Sequence, residues 1–148
     1  MAYEVTNDEY LISDDSSRLD VPFIHNFLAN ESYWAKNIPL ATVEKSIANS
    51  LCFGLYHKQQ QVGFARLVTD KATFAYLADV FIVPQYRGRG LSRWLIETIH
   101  AHALLQTLRR WMLGTRDAHG LYKKFGWTSL AEPDRFMQKH NPNVYQQP

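Results

Sequence analysis

A mixed α/β fold is predicted for this chain by three observations. Three β-favouring segments follow one another in its middle, strand-like and helix-periodic segments then alternate in the order β-α-β-α, and one abrupt junction joins the two regions. That junction, Asp79 to Ser92, reads D-V-F-I-V-P-Q-Y-R-G-R-G-L-S, an apolar run that breaks at Pro84 into a basic turn and then opens a helix. With 148 residues, 46% of them hydrophobic and 20% charged, the chain is long enough to bury its own core, so residues 1–148 are expected to form one domain.

Each element has a local reason. Tyr10 to Ser13 reads as a first strand. Asp20 is placed to cap a helix whose opening turn holds Pro22, with Phe23, Phe27 and Leu28 on one face. A second helix over Val43 to Asn49 follows Pro39, and its buried stripe is Val43, Ile47 and Leu51. Ser32 to Lys36, between them, is an aromatic loop. Leu51 to Tyr56 and Val62 to Val68 favour β structure and flank the polar link His57 to Gln61, so they are expected to pair antiparallel; Thr73 to Val83 adds a third strand. The helix after the glycine turn is expected from Leu91 to Leu105, with Leu91, Leu95, Ile99 and Ala103 at helical spacing. Arg110 to Thr115 then reads as a strand, Ala118 to Phe125 as a short helix ended by Gly126, and Phe136 to Lys139 as a late strand.

Composition removes several classes of function. A net charge of +2 is too small for wholesale nucleic-acid binding, and the basic turn and Arg109-Arg110 lack a stacking-platform motif. Cys52 is the only cysteine and lies in an apolar run, which points to an inert core thiol and a reducing compartment. Met1 to Tyr10 lacks the apolar core of a secretory signal, and charges interrupt every apolar run before ~20 residues, so a cytoplasmic protein without a membrane span is expected.

The turn itself is an anion site by its chemistry. Gly88 and Gly90 allow positive φ and close backbone approach, and the helix that follows starts with N–H groups that have no intrahelical partner. Arg87 and Arg89 add positive charge. A P-loop would need a lysine after the glycines, and the dinucleotide fingerprint would need glycine where Arg93 stands, so ATP hydrolysis and NAD binding are disfavoured.

Gln85-Tyr86-Arg87-Gly88-Arg89-Gly90 matches the Gln/Arg-x-x-Gly-x-Gly/Ala signature of GNAT N-acetyltransferases, and Tyr122-Lys123-Lys124-Phe125-Gly126-Trp127 is similar to their Tyr-x-x-x-Gly-aromatic segment. The chain resembles that superfamily in proper order from about Leu51 to Trp127. The resemblance implies a single-domain GNAT fold, with a twisted, mostly antiparallel sheet splayed at its central strands and flanked by helices. It implies acetyl-CoA as donor, CoA as product and no metal. By the same resemblance the backbone of Phe81, Ile82 and Val83 pairs with the pantetheine amides, and the amides of Arg87, Gly88, Arg89, Gly90 and Leu91 hold the diphosphate. Ser92 stands where many members have glycine or alanine, but it is small and can donate a hydrogen bond.

Acid and base candidates lie on either side of this turn. Tyr122 can be a helix-core aromatic, but its motif position implies the general acid that reprotonates the departing thiolate. Asp79 interrupts the otherwise almost wholly apolar Tyr76 to Val83 and needs a partner: an internal salt bridge, or the ammonium of an acceptor whose proton it relays. Tyr33 and Trp34 line the acceptor pocket or pack in the core. His119 ranks below Asp79. The run around Asp79 is similar to that of small-molecule polyamine and amino-acid acetyltransferases, which implies a small primary amine as acceptor. A protein lysine or N-terminal amine is the rival, and a non-catalytic acyl-CoA sensor lies outside the enzyme class. The sequence leaves monomer and homodimer both open.

Overall fold

In the computed structural model, which describes residues 1–146, a six-stranded sheet runs in chain order: β1 (Glu4–Asn7), β2 (Tyr10–Ser13), β3 (Leu51–His57), β4 (Gln60–Thr69), β5 (Phe74–Ile82) and β6 (Arg110–Met112). The first five pair antiparallel because each is joined to its neighbour on the same end or by an excursion that returns there. β6 lies parallel to β5, since helix α3 (Leu91–His100) carries the chain back over the sheet before β6 begins.

The sheet is covered on both faces, and strand alternation sorts the side chains. Phe53, Leu55, Ala65 and Leu67 face α3, which lays Leu91, Leu95, Ile96 and Ile99 on them. Their neighbours Cys52 and Phe64 face the other way, toward α1 (Val21–Asn30) and α2 (Leu40–Ala48), where Ile24, Phe27, Leu28 and Val43 are buried. Asp20 caps α1 as expected, its carboxylate accepting from the Phe23 N–H at 3.1 Å, with Pro22 in the first turn.

Several boundaries differ from the sequence reading. β1 is polar and four residues long, so it carries no β pattern, yet it pairs with all of β2 through a tight turn at Asp8, where φ is +54°. The β3–β4 hairpin turns on two left-handed residues, Lys58 and Gln59, so the strands reach to His57 and start at Gln60. α3 stops at His100 and not Leu105, because His102 leaves the helix: its Nδ1 accepts from the Leu104 N–H and its Nε2 lies 2.9 Å from Asp14. β6 ends at Met112 and α4 spans His119–Lys123, closed by Gly126 at φ +89°. The late strand at Phe136 to Lys139 does not form. A 3₁₀ turn at Pro133–Arg135 precedes it, and the Phe136 ring sits under the Arg110 guanidinium at 4.9 Å, a side-chain contact in place of a ladder.

The expected splay is present, but it lies between β5 and the edge strand β6 and not between central strands, and it positions everything that follows. β5 pairs with β6 only at Phe74, Ala75 and Tyr76, so Leu77 to Ile82 run on without a partner on that side. Between Phe64 and Arg66 the β4–β5 register slips, β5 carrying one extra residue around Asp79. Asp79 takes φ +55° there.

Candidate active site

The glycine turn has the geometry of an anion cradle. Gly88 and Gly90 hold φ of +78° and +77°, and a Cβ built on either meets no atom within 4 Å, so the surface beside them is open. Gly90 is the N-cap residue of α3 and offers no side-chain cap, leaving the first amides of the helix for an external partner. The arginines are partly committed to the protein. Arg87 Nε donates to the Ile82 carbonyl at 2.9 Å, and Arg89 lies 4.7 Å from the Tyr86 ring centroid while donating to Tyr10 Oη and the Gln85 carbonyl. Backbone amides, more than guanidinium groups, are what this turn presents.

Along the strand that leads to the turn, the three candidate positions are not equivalent. Val83 donates its N–H to Val62 at 3.0 Å, so the ladder turns the peptide groups of Ile82 away from β4 and toward the splayed gap. Phe81 is stacked on Phe27, centroids 3.9 Å apart, deep in the α1–α2 core. The Ile82 N–H therefore faces the gap, while its carbonyl accepts from Arg87 Nε at 2.9 Å.

The opened end of the sheet forms a cleft of about 650 Å³. It gathers Tyr33 and Trp34 from the α1–α2 loop, Asp79 from β5 and Tyr122 from α4, three separate elements. Asp79 has the partners its burial demands: Oδ2 accepts from Arg66 Nε and Oδ1 from Trp34 Nε1, each at 2.8 Å. Tyr33 and Trp34 are 45% and 41% exposed, which settles them as cleft wall and not core. Their rings meet edge to face at 5.0 Å. Tyr33 also reaches across the splay, its Oη accepting from the Arg116 N–H at 3.1 Å and its ring lying 3.8 Å from the Arg116 guanidinium. The α1–α2 loop and the β6–α4 loop are thus tied together across the cleft.

Tyr122 is buried, and that burial, with a smaller contribution from Tyr33, pushes its phenol up to about 12 from 10.0. It remains a neutral donor at any working pH. His119 instead faces a neighbouring cavity of about 420 Å³ on the other side of Tyr122. Among the described residues no three His, Cys, Asp or Glu side chains gather as a metal centre would.

Sequence reasoning missed Arg66, Val80 and Tyr145, and it reads Arg116 and Asp117 as capping the next helix, whereas α4 has Ala118 as N-cap and no side-chain cap; Arg66, Val80, Tyr145 and Arg116 all line the cleft. Arg66 carried a signal: it is the single charge in Val62 to Val68, the counterpart of Asp79 in the next strand. Tyr145 carried none, because only the tail's path brings it against the α1–α2 core and the cleft.

The sheet is thus opened beside a glycine turn at an uncapped helix start, with the Tyr122 phenol in the opening. The acetyltransferase (GNAT) domain matches residues 48–129, more than half the chain, and the chain belongs to this family of acyltransferases. A solved GNAT-family structure from Xanthomonas campestris pv. campestris is 47% identical and superposes with a TM-score of 0.91, over 93% of this chain and 97% of that one. A protein of Gibberella zeae named "Putative acetyltransferase" is 34% identical over 114 residues; the match spans 64% of each chain, so the chain covers a little under two thirds of that relative. A GNAT structure from Elizabethkingia anophelis with acetyl-CoA bound shares the fold at a TM-score of 0.60 and 13% identity, over 80% of this chain and 76% of that one.

Proposed function

We propose that this protein transfers the acetyl group of acetyl-CoA to the primary amine of a small molecule, by direct attack within the splayed cleft. The observation that carries the small-molecule reading is the Tyr33–Arg116 bridge, which ties the α1–α2 loop to the β6–α4 loop across the cleft and so leaves less room for a peptide beside it. Tyr145 adds a further wall from the tail.

The residues present fit the donor. The amides of Arg87 to Leu91 at the uncapped α3 terminus would hold the diphosphate, with Ser92 beside them, and the Ile82 N–H would pair with pantetheine as an added strand does. Phe81 and Val83 contribute by holding that strand edge in place. Bound there, acetyl-CoA supplies an activated acetyl thioester.

The chain's own groups then manage charge and protons. A lysine-like amine is protonated at pH 7, and neutralising it costs roughly 4–5 kcal/mol. Asp79 spends one acceptor site on Arg66 and one on Trp34, and a carboxylate offers about four, which leaves room for the ammonium or a water that takes its proton. Held at both oxygens, Asp79 acts as a positioning and relay group. Tyr122 donates to the departing sulfur.

A screen of free amines and peptides with acetyl-CoA, read by mass spectrometry, tests this. Acetylated small amines are expected. Acetylation of peptides alone would sink the small-molecule reading, and tight acetyl-CoA binding without turnover of either would favour a sensor.

A further inference from the structure

We infer that the acceptor amine carries a single carboxylate, and that Arg116 reads it. This rests on the amine-acetylation reading above.

The charged groups of the cleft fall into two sets. Arg66 and Asp79 neutralise one another at 2.8 Å. Arg116 and Asp117, on the loop between β6 and α4, have no salt-bridge partner among the described residues. Arg116 is nonetheless held in place, its guanidinium against the Tyr33 ring and its N–H on Tyr33 Oη. A stacked guanidinium keeps its N–H fork free for a planar anion.

The donor does not need this cation. Its phosphates belong to the turn beyond Val83, whereas the cleft flanks Tyr76 to Val80 farther back along β5. An aromatic wall connects the two sets, from Asp79 through Trp34 and Tyr33 to Arg116. An acceptor lying along that wall meets Asp79 at one end and Arg116 at the other. The lining holds two cations and two anions, so a molecule of no net charge, one ammonium and one carboxylate, matches it. A phosphate would bring roughly another negative charge that the lining does not offset.

The experiment compares kcat/KM for ω-amino acids long enough to reach from Asp79 to Arg116 and for their carboxamides, with ethanolamine and phosphoethanolamine as a second pair, in the wild type, Arg116→Gln and Arg116→Lys. The acid-to-amide ratio is expected to fall by about tenfold or more in Arg116→Gln and by less in Arg116→Lys, as loss of a charge-assisted bidentate contact predicts. A ratio unchanged in both variants overturns the inference. So does failure to acetylate any carboxylate-bearing amine, and a preference for phosphoethanolamine assigns the anion as phosphate instead. Calorimetry with acetyl-CoA separates the two levels: a protein that does not bind it loses the underlying reading, whereas one that binds it and acetylates only amines without an anion loses this inference alone.

Discussion

Arg66 donates through Nε to the Asp79 carboxylate at 2.8 Å, across the β4–β5 ladder at the point where β5 carries its extra residue. The bulge turns Asp79 into the cleft, the ion pair satisfies it there, and Trp34 is anchored to its second oxygen. One strained residue, at φ +55°, therefore organises both the opening of the sheet and the wall of the site.

Asp79→Asn isolates the charge from the backbone, because asparagine tolerates the left-handed conformation that alanine resists. With the pair only partly exposed, the change should cost about 2 kcal/mol in a denaturant melt and lower acetyl transfer sharply. Arg66→Gln should behave alike. The double variant should lose at least about 1 kcal/mol less than the sum of the two. Additive losses would mean the pair is not coupled.

Tyr122→Phe should lower kcat by roughly 10²-fold, the smaller end of general-acid contributions, with acetyl-CoA affinity unchanged in calorimetry. Since the phenol sits near 12, the wild-type kcat profile should show no falling limb from this group below pH 10. Full activity in the phenylalanine variant removes Tyr122 from the mechanism.

Alkaline stability follows from the same burial. The folded protein holds the Tyr122 proton up to about 12 against 10.0 ordinarily, and the Cys52 proton up to about 12 against 9.0. Both are raised, so their stabilising share is complete below pH 9 and is lost as pH climbs toward 12. Urea midpoints measured from pH 8 upward should decline across that window, less steeply in Tyr122→Phe. Cys52, 4% exposed, should also resist alkylation at pH 8 until the protein is unfolded.

Gly90→Ala tests the anion cradle. Its Cβ would meet nothing within 4 Å, so the stability cost is conformational, about 1–2 kcal/mol. Acetyl-CoA binding should weaken beyond that loss if, as proposed, the diphosphate sits on the open face that the methyl would occupy. Equal acetyl-CoA affinity in the variant would place the phosphates elsewhere.

Tyr145→Ala should raise KM for the amine while leaving KM for acetyl-CoA in place. The ring lines the cleft and packs on the α1–α2 core, whereas none of the turn residues Arg87 to Leu91 lines that cleft. A rise in KM for acetyl-CoA alone would contradict this assignment.

Much of this architecture is local and was readable in one dimension. The Asp20 cap, the β3–β4 and β4–β5 pairings and the strand-turn-helix at Pro84 to Leu91 each depend on residues close in the chain, whose patterns of period two or period 3.6 are set by backbone geometry. The donor turn belongs to this class, as Gly88 and Gly90 and an uncapped helix start are all it needs. β1 and the ends of α3 and β6 were illegible because pairing partners and His102, not propensity, decide them. The acceptor side depended entirely on the fold. Arg66 meets Asp79 across 13 positions, Trp34 meets Asp79 across 45 and Tyr33 meets Arg116 across 83, distances over which no sequence period acts. Sequence alone determined the glycine turn and uncapped helix start to which we assign the donor's phosphates, because that turn is made of neighbouring residues; only the tertiary structure decided which side chains share the cleft, because they converge through the splay of the sheet.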